Sequence, residues 1–338
     1  PGSVVLVASH NGTTAETTFV GQMVPPIDVS GSWDPKGFVG KATVHEVGMP
    51  LKVGFTVHPD GAVDLDARAR SFQMELAPRL KKLTPARGRA DAQVKAHIEK
   101  NTLDATLSAD VSGFSLADVK LARGHVTGHA KGKLTELEKL AIDAKVTGSD
   151  FSARGQSFGK VSGTAKGPVI RPALTATLTD PHGPEVRASG TLEAKGKPAV
   201  KNVQVQIKRD DAVLAGKIAH LDLDAQDVVV DSMKLTGAGG ELGGKVRISK
   251  GRVELKAKGE RLDLDVVSRA LGLRRGMLGG TLNVDADIVA SKEKSTGHVK
   301  LGLGKGSIAA VGGISMSLDA SLEGEHIEGK ASGIVRDI

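Results

Sequence analysis

Histidines are the first residues of this chain that could do chemistry. His125 and His129 stand four positions apart, so on a strand their side chains would share a face and could supply two ligands of a metal site. A metal site needs a further ligand, and the related segment 159–167 carries Lys160 and Thr164 at the matching positions. The spacing therefore favours a solvated strand face, and we predict no metal.

A glycine-rich segment, GAGGELGG at 237–244, resembles a loop that holds phosphate on its backbone N–H groups. A nucleotide-binding loop needs a helix directly after it, whereas the strand pattern KVRI follows here at 245–248. We therefore expect a hairpin turn or a bulge. We identify no GxSxG nucleophile elbow, no HExxH motif and no P-loop, and we expect no enzyme activity and no cofactor.

Aspartates recur in pairs that alternate with apolar residues. Two carboxylates on one strand face could hold calcium loosely, but the number of pairs and their regular alternation indicate the solvated face of a sheet. The pairs are Asp64/Asp66, Asp222/Asp224, Asp263/Asp265 and Asp285/Asp287.

Composition narrows the class of partner. The formal net charge is +7, but Lys and Arg are mixed with Asp and Glu along the chain. Aromatic residues make up only 2 %, so few rings are present on which bases could stack, and nucleic-acid binding is disfavoured. Weak attraction to anionic lipid head groups fits the same charge. The absence of cysteine excludes disulfides, thiolate metal sites and a cysteine nucleophile.

The elements that must position any site are strands. Apolar and polar residues alternate with period two along most of the chain, with turn-forming residues at 11–12, 58–61, 180–183 and 237–240. Short helices are predicted near 73–83, 135–140 and 266–273. No segment resembles a βαβ unit, so the sequence predicts an all-β protein with an elongated, curled, antiparallel sheet and a few short helices. The clearest alternating segments are 103–109, 174–178, 203–207, 221–225, 282–288, 299–303 and 314–320.

An internal repeat organises the chain. Residues 61–98 match 251–288 without a gap, so the order of two strands, a helical break and a further strand occurs twice. We expect one continuous elongated domain. Its segments are entry strands at 1–50, a first repeat module at 51–145, a middle strand module at 146–235 and a second repeat module at 236–338.

Alternation leaves each strand with an apolar face that must be covered. Two sheets could close as a sandwich, but small aliphatic side chains fill such a gap poorly. A β-solenoid would need a short regular period, and none holds throughout. The third solution, a trough that meets an aliphatic ligand, fits the composition best. The candidate groove residues are Val63, Leu65, Leu103, Leu107, Val203, Val205, Ile207, Val253, Leu255, Leu262, Leu264, Leu282, Val284, Ile288, Val299, Leu301 and Leu303.

Two segments carry a family resemblance. GRVELKAKGERLDLDVVSRALGLRRGMLGGTLNVDADI at 251–288 and GKVSGTAKGPVIRPALTATLT at 159–179 resemble the AsmA-like and TamB-like envelope proteins of diderm bacteria, with the closer likeness to the TamB-like members. In that family a strand, a Leu-x-Leu segment, a short helix and a glycine-rich strand recur. The likeness extends over most of the chain after about residue 50.

The resemblance implies a taco-shaped β-groove that crosses the periplasm and conducts phospholipid between the inner and outer membranes. It also implies an inner-membrane anchor and an Omp85-type barrel partner. The first apolar run, at 4–8, is far shorter than the roughly 20 residues of a spanning helix, so we expect the anchor in a segment outside this one. The alternative function is a scaffold that assists the assembly of outer-membrane β-barrel proteins.

Overall fold

Alternating residues form strands along nearly all of the chain in the computed structural model. Val, Leu, Ile and Thr suit a pleated surface that is covered on one side, and the intervening glycines and polar residues form the turns. The structure describes residues 3–8, 15–21, 24–35, 37–46, 49–76, 86–116, 119–153, 156–180, 183–195, 198–223, 227–249, 251–270, 272–291, 294–309, 311–324 and 326–335.

The chain divides into two compact units between Val169 and Ile170. Unit 1 is an antiparallel meander in which each strand pairs with the next along the chain. Its strands are β1 (Ser3–Ala8), β2 (Ala15–Gly21), β3 (Val24–Asp34), β4 (Gly37–Glu46), β5 (Met49–Val57), β6 (Val63–Gln73), β7 (Arg87–Glu99), β8 (Thr102–Leu116), β9 (Val119–Lys133), β10 (Ala141–Ala153) and β11 (Gln156–Pro168).

Unit 2 is a second antiparallel meander with the same neighbour-to-neighbour pairing. The all-β, antiparallel prediction is thereby confirmed. Its strands are β12 (Ala173–Thr179), β13 (Glu185–Glu193), β14 (Ala199–Arg209), β15 (Ala212–Leu223), β16 (Asp227–Thr236), β17 (Glu241–Ser249), β18 (Arg252–Asp263), β19 (Leu278–Ala290), β20 (Ser295–Ile308), β21 (Val311–Glu323) and β22 (His326–Val335).

Helices are short in the part of the chain that the structure describes. Two 3-10 helices, Met74–Leu76 and Leu134–Lys139, follow β6 and β9. One α-helix, α1 (Leu264–Ala270), follows β18. The helix predicted near 73–83 lies mostly outside the described residues, whereas the other two predicted helical segments overlap Leu134–Lys139 and α1.

The proposed segment boundaries do not coincide with strand ends. The boundaries at 50/51, 145/146 and 235/236 fall inside β5, β10 and β16. A strand that pairs on both sides cannot be divided without breaking two ladders of hydrogen bonds, so these positions lie within one continuous sheet in their respective units.

β-Bulges interrupt the strands wherever the alternation changes phase. At Arg261 the backbone has φ +53°. Gly259 and Leu262 are three positions apart and nevertheless lie on the same face, whereas strict alternation would place them on opposite faces. An extra residue in one strand of a pair produces this re-phasing and adds local twist. The same arrangement, with φ between 50° and 59°, recurs at Ser71, Gly113, Asp150, Asn202, Ser232 and Lys305.

The internal repeat has matching backbone features in the two copies. Gly61 and Gly251, which are 190 positions apart, lie in the turns before β6 and β18, both at φ +84°. Ser71 and Arg261, also 190 apart, are both bulge residues. Each bulge donates its backbone N–H to the side chain opposite, Ser71 to Asp91 Oδ1 and Arg261 to Asn283 Oδ1, both at 2.7 Å. The repeat therefore preserves a bulge as well as a strand pattern.

Candidate functional site

Strand register places the groove candidates of unit 1 on one face. Val63 lies opposite Ile98, which lies opposite Leu103, and Leu107 lies opposite Val94. We call the surface formed by these residues and their cross-strand neighbours the apolar face of unit 1. Further members are Leu65, Ala67, Ala96, Ala105, Ala109, Val126, Ala130, Ile142, Ala144 and Val146.

Unit 2 has an apolar face of the same kind. One row of directly opposed residues runs from Val205 through Gly216, Leu235 and Leu242 to Gly259, and continues through Val284 and Leu301 to Leu318 on β21. Parallel rows on the same face hold the remaining strand candidates of this unit. These are Val203, Ile207, Val253, Leu255, Leu262, Leu282, Ile288, Val299 and Leu303.

The apolar faces are only partly covered within their own units. Leu107 in unit 1 and Leu301 in unit 2 leave 38 % and 36 % of their surfaces exposed, although both belong to apolar rows. The described core is correspondingly small and consists mainly of alanine and single larger aliphatic residues. Each unit therefore presents aliphatic surface that its own described side chains leave open.

Helix α1 covers one part of the apolar face of unit 2. Leu262, which is 5 % exposed, packs with Leu214, Ala238 and the helix residue Ala270. The helix contacts β14, β15, β18 and β19. The partly buried residues around this cluster are Ile207, Leu242, Val266, Val267 and Leu282.

Local capping defines the limits of α1. The Asp263 carboxylate accepts hydrogen bonds from the N–H groups of Asp265 and Val266 at 2.9 and 3.3 Å, which is an N-cap. Gly272, at φ +101°, donates to the Arg269 carbonyl, and the next N–H reaches the Ser268 carbonyl, which is a Schellman ending. Leu264 was predicted as a strand residue of the groove, but the cap at Asp263 makes it the first residue of the helix.

An ion pair connects α1 to the turn between β14 and β15. The Arg269 guanidinium, whose side chain is only 6 % exposed, lies 2.9 Å from Asp265 Oδ2 and also hydrogen-bonds to Asp211. The pKa of Asp211 is lowered by a hydrogen bond from its own backbone and by the one from Arg269. The helix is thus held over the apolar face by charge as well as by packing.

The opposite, polar faces carry ion pairs and histidine–aspartate pairs. His58 Nε2 and His97 Nδ1 lie 2.6 and 2.7 Å from the two oxygens of Asp64. These two hydrogen bonds, that of His58 first, lower the pKa of Asp64, and the same carboxylate raises the pKa of His97. The polar faces therefore hold a set of surface charges that pair across neighbouring strands.

The two histidines considered as metal ligands belong to this pattern. His125 pairs with Asp110 and His129 with Asp104, each at 2.7 Å. His129, followed by Lys131, lowers the pKa of Asp104. Across the described residues, no group of three or more His, Asp or Glu side chains is arranged to hold a metal ion.

Surface hollows within the units lie on the polar faces. One in unit 2 is bordered by Arg187, Gln204, Gln206, Lys217 and Lys234, which all point away from the apolar rows. Another, in unit 1, is bordered by Lys41, Asp64, Asp66, Lys95 and His97. Charged, amide and hydroxyl side chains border both hollows, although the larger part of each lining surface is apolar.

Two motifs that suggest catalysis lie in a hairpin turn and in a strand. The glycine-rich segment forms the turn between β16 and β17, as expected, because strand and not helix follows it. No GxSxG elbow was identified in the sequence, although GQSFG at 155–159 matches the GxSxG spacing of a hydrolase nucleophile. That pattern requires a sharp turn from strand to helix, whereas Ser157 lies inside β11. Neither segment has the backbone shape that its chemistry would need.

Comparisons with known proteins leave the family open. No protein-family model matches the chain, and neither a curated protein nor a solved structure gives a match. Over the described part of the chain, none of the helices combines the length and the apolar character needed to cross a bilayer.

Proposed function

We propose that the apolar faces bind the acyl chains of lipids, and that the protein conducts phospholipid between the inner and outer membranes of a bacterial envelope. The observation that carries the proposal is the rows of aliphatic residues and glycines, without a polar side chain, that remain partly exposed, such as the row through Val284 and Leu301. Large exposed apolar surfaces on a protein commonly mark interaction sites.

The energetics favour an aliphatic ligand. Burial of one methylene stabilises by about 0.8 kcal/mol, so a 16-carbon chain gains on the order of 10 kcal/mol before entropic losses. Aliphatic side chains such as Leu282 and Val299 give a smooth surface with no hydrogen-bonding groups to fix one pose. Such a surface suits a ligand that moves along it.

The envelope location and the partners have a different basis. The resemblance at 159–179 and 251–288 suggests the periplasm, an anchor in the inner membrane and a barrel partner of the Omp85 type. It also suggests the alternative function, which is assistance to outer-membrane protein assembly. These parts of the proposal can fail while lipid binding by the apolar faces stands.

A pair of directly opposed residues provides the test. Val284 and Leu301 face each other on β19 and β20, so Val284→Asp and Leu301→Asp place carboxylates in one row of the face. The matched control is Asn283→Asp, which adds a carboxylate one residue away on the polar face and keeps the oxygen that accepts the Arg261 N–H.

Each protein is purified from cells, its lipid is extracted with organic solvent, and the lipid is quantified by mass spectrometry. We expect phospholipid with the wild type and with Asn283→Asp, and a clear loss with either apolar-face variant. Lipid-free wild type that does not take up lipid when it is supplied, or equal lipid in all variants, would refute the proposal.

A further inference from the structure

Arg209 ends an otherwise apolar series on β14. The residues before it on the same face are Val203, Val205 and Ile207, and strand alternation places Arg209 on that face as well. The residue opposite, Ala212, is almost completely buried. A guanidinium group therefore lies at the end of the apolar face of unit 2, beside the part that α1 covers.

One nitrogen of this guanidinium is buried without a partner. Nη1 of Arg209 is inaccessible to solvent and makes no hydrogen bond with the described residues. The backbone after α1 closes over it, since a Cβ on Gly272 would lie 3.3 Å from this nitrogen. Buried donors are normally satisfied, because a lost hydrogen bond to a charged group is costly.

Three carboxylates in or beside α1 are already engaged. Asp263 caps the start of α1, and both Asp265 and Asp211 bind Arg269. A second cation, Arg275, lies at the same end, with its guanidinium 4.0 Å from Asp211 and most of its side chain in solvent. Nη1 of Arg209 thus has no carboxylate partner among the described residues.

We propose that the half-buried Arg209 binds, through the N–H groups of its guanidinium that Gly272 does not cover, the phosphate of an anionic amphiphile whose acyl chain lies on the apolar face of unit 2. The inference rests on the proposed lipid binding and adds the chemical class of the head group. Guanidinium groups bind phosphate through paired N–H donors, and the adjoining aliphatic rows suit the attached chain. The site recognises phosphate and apolar surface together, which distinguishes it from a site for free phosphate.

The test compares two lipids that differ only in the phosphate. Delipidated protein in nonionic detergent is titrated with fluorescent phosphatidic acid and with fluorescent diacylglycerol of identical acyl chains. We expect phosphatidic acid to bind about tenfold more tightly, as one charge-assisted contact allows. Arg209→Gln should remove this preference without weakening the binding of diacylglycerol, whereas Arg209→Lys should keep part of it.

Arg247→Gln is the matched control, because Arg247 lies on the polar face of β17 in the same unit. Thermal unfolding followed by circular dichroism establishes that each variant is folded. A preference that persists in Arg209→Gln, or its absence in the wild type, would overturn the phosphate site while leaving lipid binding intact. Failure of both lipids to bind would refute the proposed function itself. Inorganic phosphate that competes as strongly as phosphatidic acid would overturn the assignment to a lipid.

Discussion

Replacement of Leu262 by alanine measures how much the packing of α1 on the apolar face contributes to the free energy of unfolding. Leu262 is 5 % exposed and packs beneath the helix, so the change removes three buried carbons. At about 0.8 kcal/mol per carbon the transfer loss is roughly 2.4 kcal/mol, and the cavity left behind raises the cost to about 3–4 kcal/mol. Leu301→Ala removes the same atoms from an uncovered position that is 36 % exposed, and it should cost about 1–1.5 kcal/mol.

Hydrogen exchange read by mass spectrometry on peptides suits this comparison, because two units need not unfold in one transition. Amides of α1 and of the adjoining β14 and β15 should exchange faster in Leu262→Ala, by about two orders of magnitude, which corresponds to roughly 3 kcal/mol. The same amides should change little in Leu301→Ala. Equal effects of the two variants would refute the inference that the helix covers Leu262 and leaves Leu301 open.

Two further predictions concern the polar face and the bulges. The pKa of His97 is raised from its ordinary 6.5 and that of Asp64 is lowered from 3.8, so their contribution to stability is greatest between these values. This contribution is lost as pH rises through the raised pKa of His97 and as pH falls through the lowered pKa of Asp64. Urea unfolding should therefore give a lower free energy of unfolding at pH 8 than at pH 5.5. His97→Gln should reduce this difference, whereas the control His326→Gln should retain it. At Arg261, where φ is +53° and the N–H is hydrogen-bonded, replacement by proline should cost at least about 3 kcal/mol, whereas replacement by glycine should be tolerated. Similar unfolding free energies for these two variants would contradict the inference that Arg261 is a bulge residue with positive φ and a hydrogen-bonded N–H.

Much of the fold could be predicted from local sequence. Strict alternation, such as that at 282–288, together with the turn signal at 58–61, defines a meander of antiparallel strands, because period two and tight turns leave few other arrangements. The short helix near 266–273 was also predicted, because the strand alternation breaks off there. These features depend on neighbours in sequence, which is why the sequence reveals them.

Other features depend on contacts that no local pattern shows. The groove candidates were identified strand by strand, but register alone places Val205 and Leu301 in one row across several strands. Leu264 follows the strand pattern and is nevertheless helical, because Asp263 caps the helix and ends the strand one residue earlier. The position of Arg209 beside Gly272 joins segments that are far apart along the chain. The signal for the bulges was present, however, as a change of phase between Gly259 and Leu262.

The bulges make the sheet tolerant of changes in strand length. A residue added within a strand would ordinarily turn every following side chain to the wrong face, but a bulge absorbs it and restores the pattern one position later. Copies of the repeat can therefore gain or lose single residues at a bulge. The pairing of β6–β7 and of β18–β19 also differs by two residues, a shift that keeps every side chain on its face. A sheet of this kind can grow by duplication and drift in sequence while its aliphatic surface remains continuous.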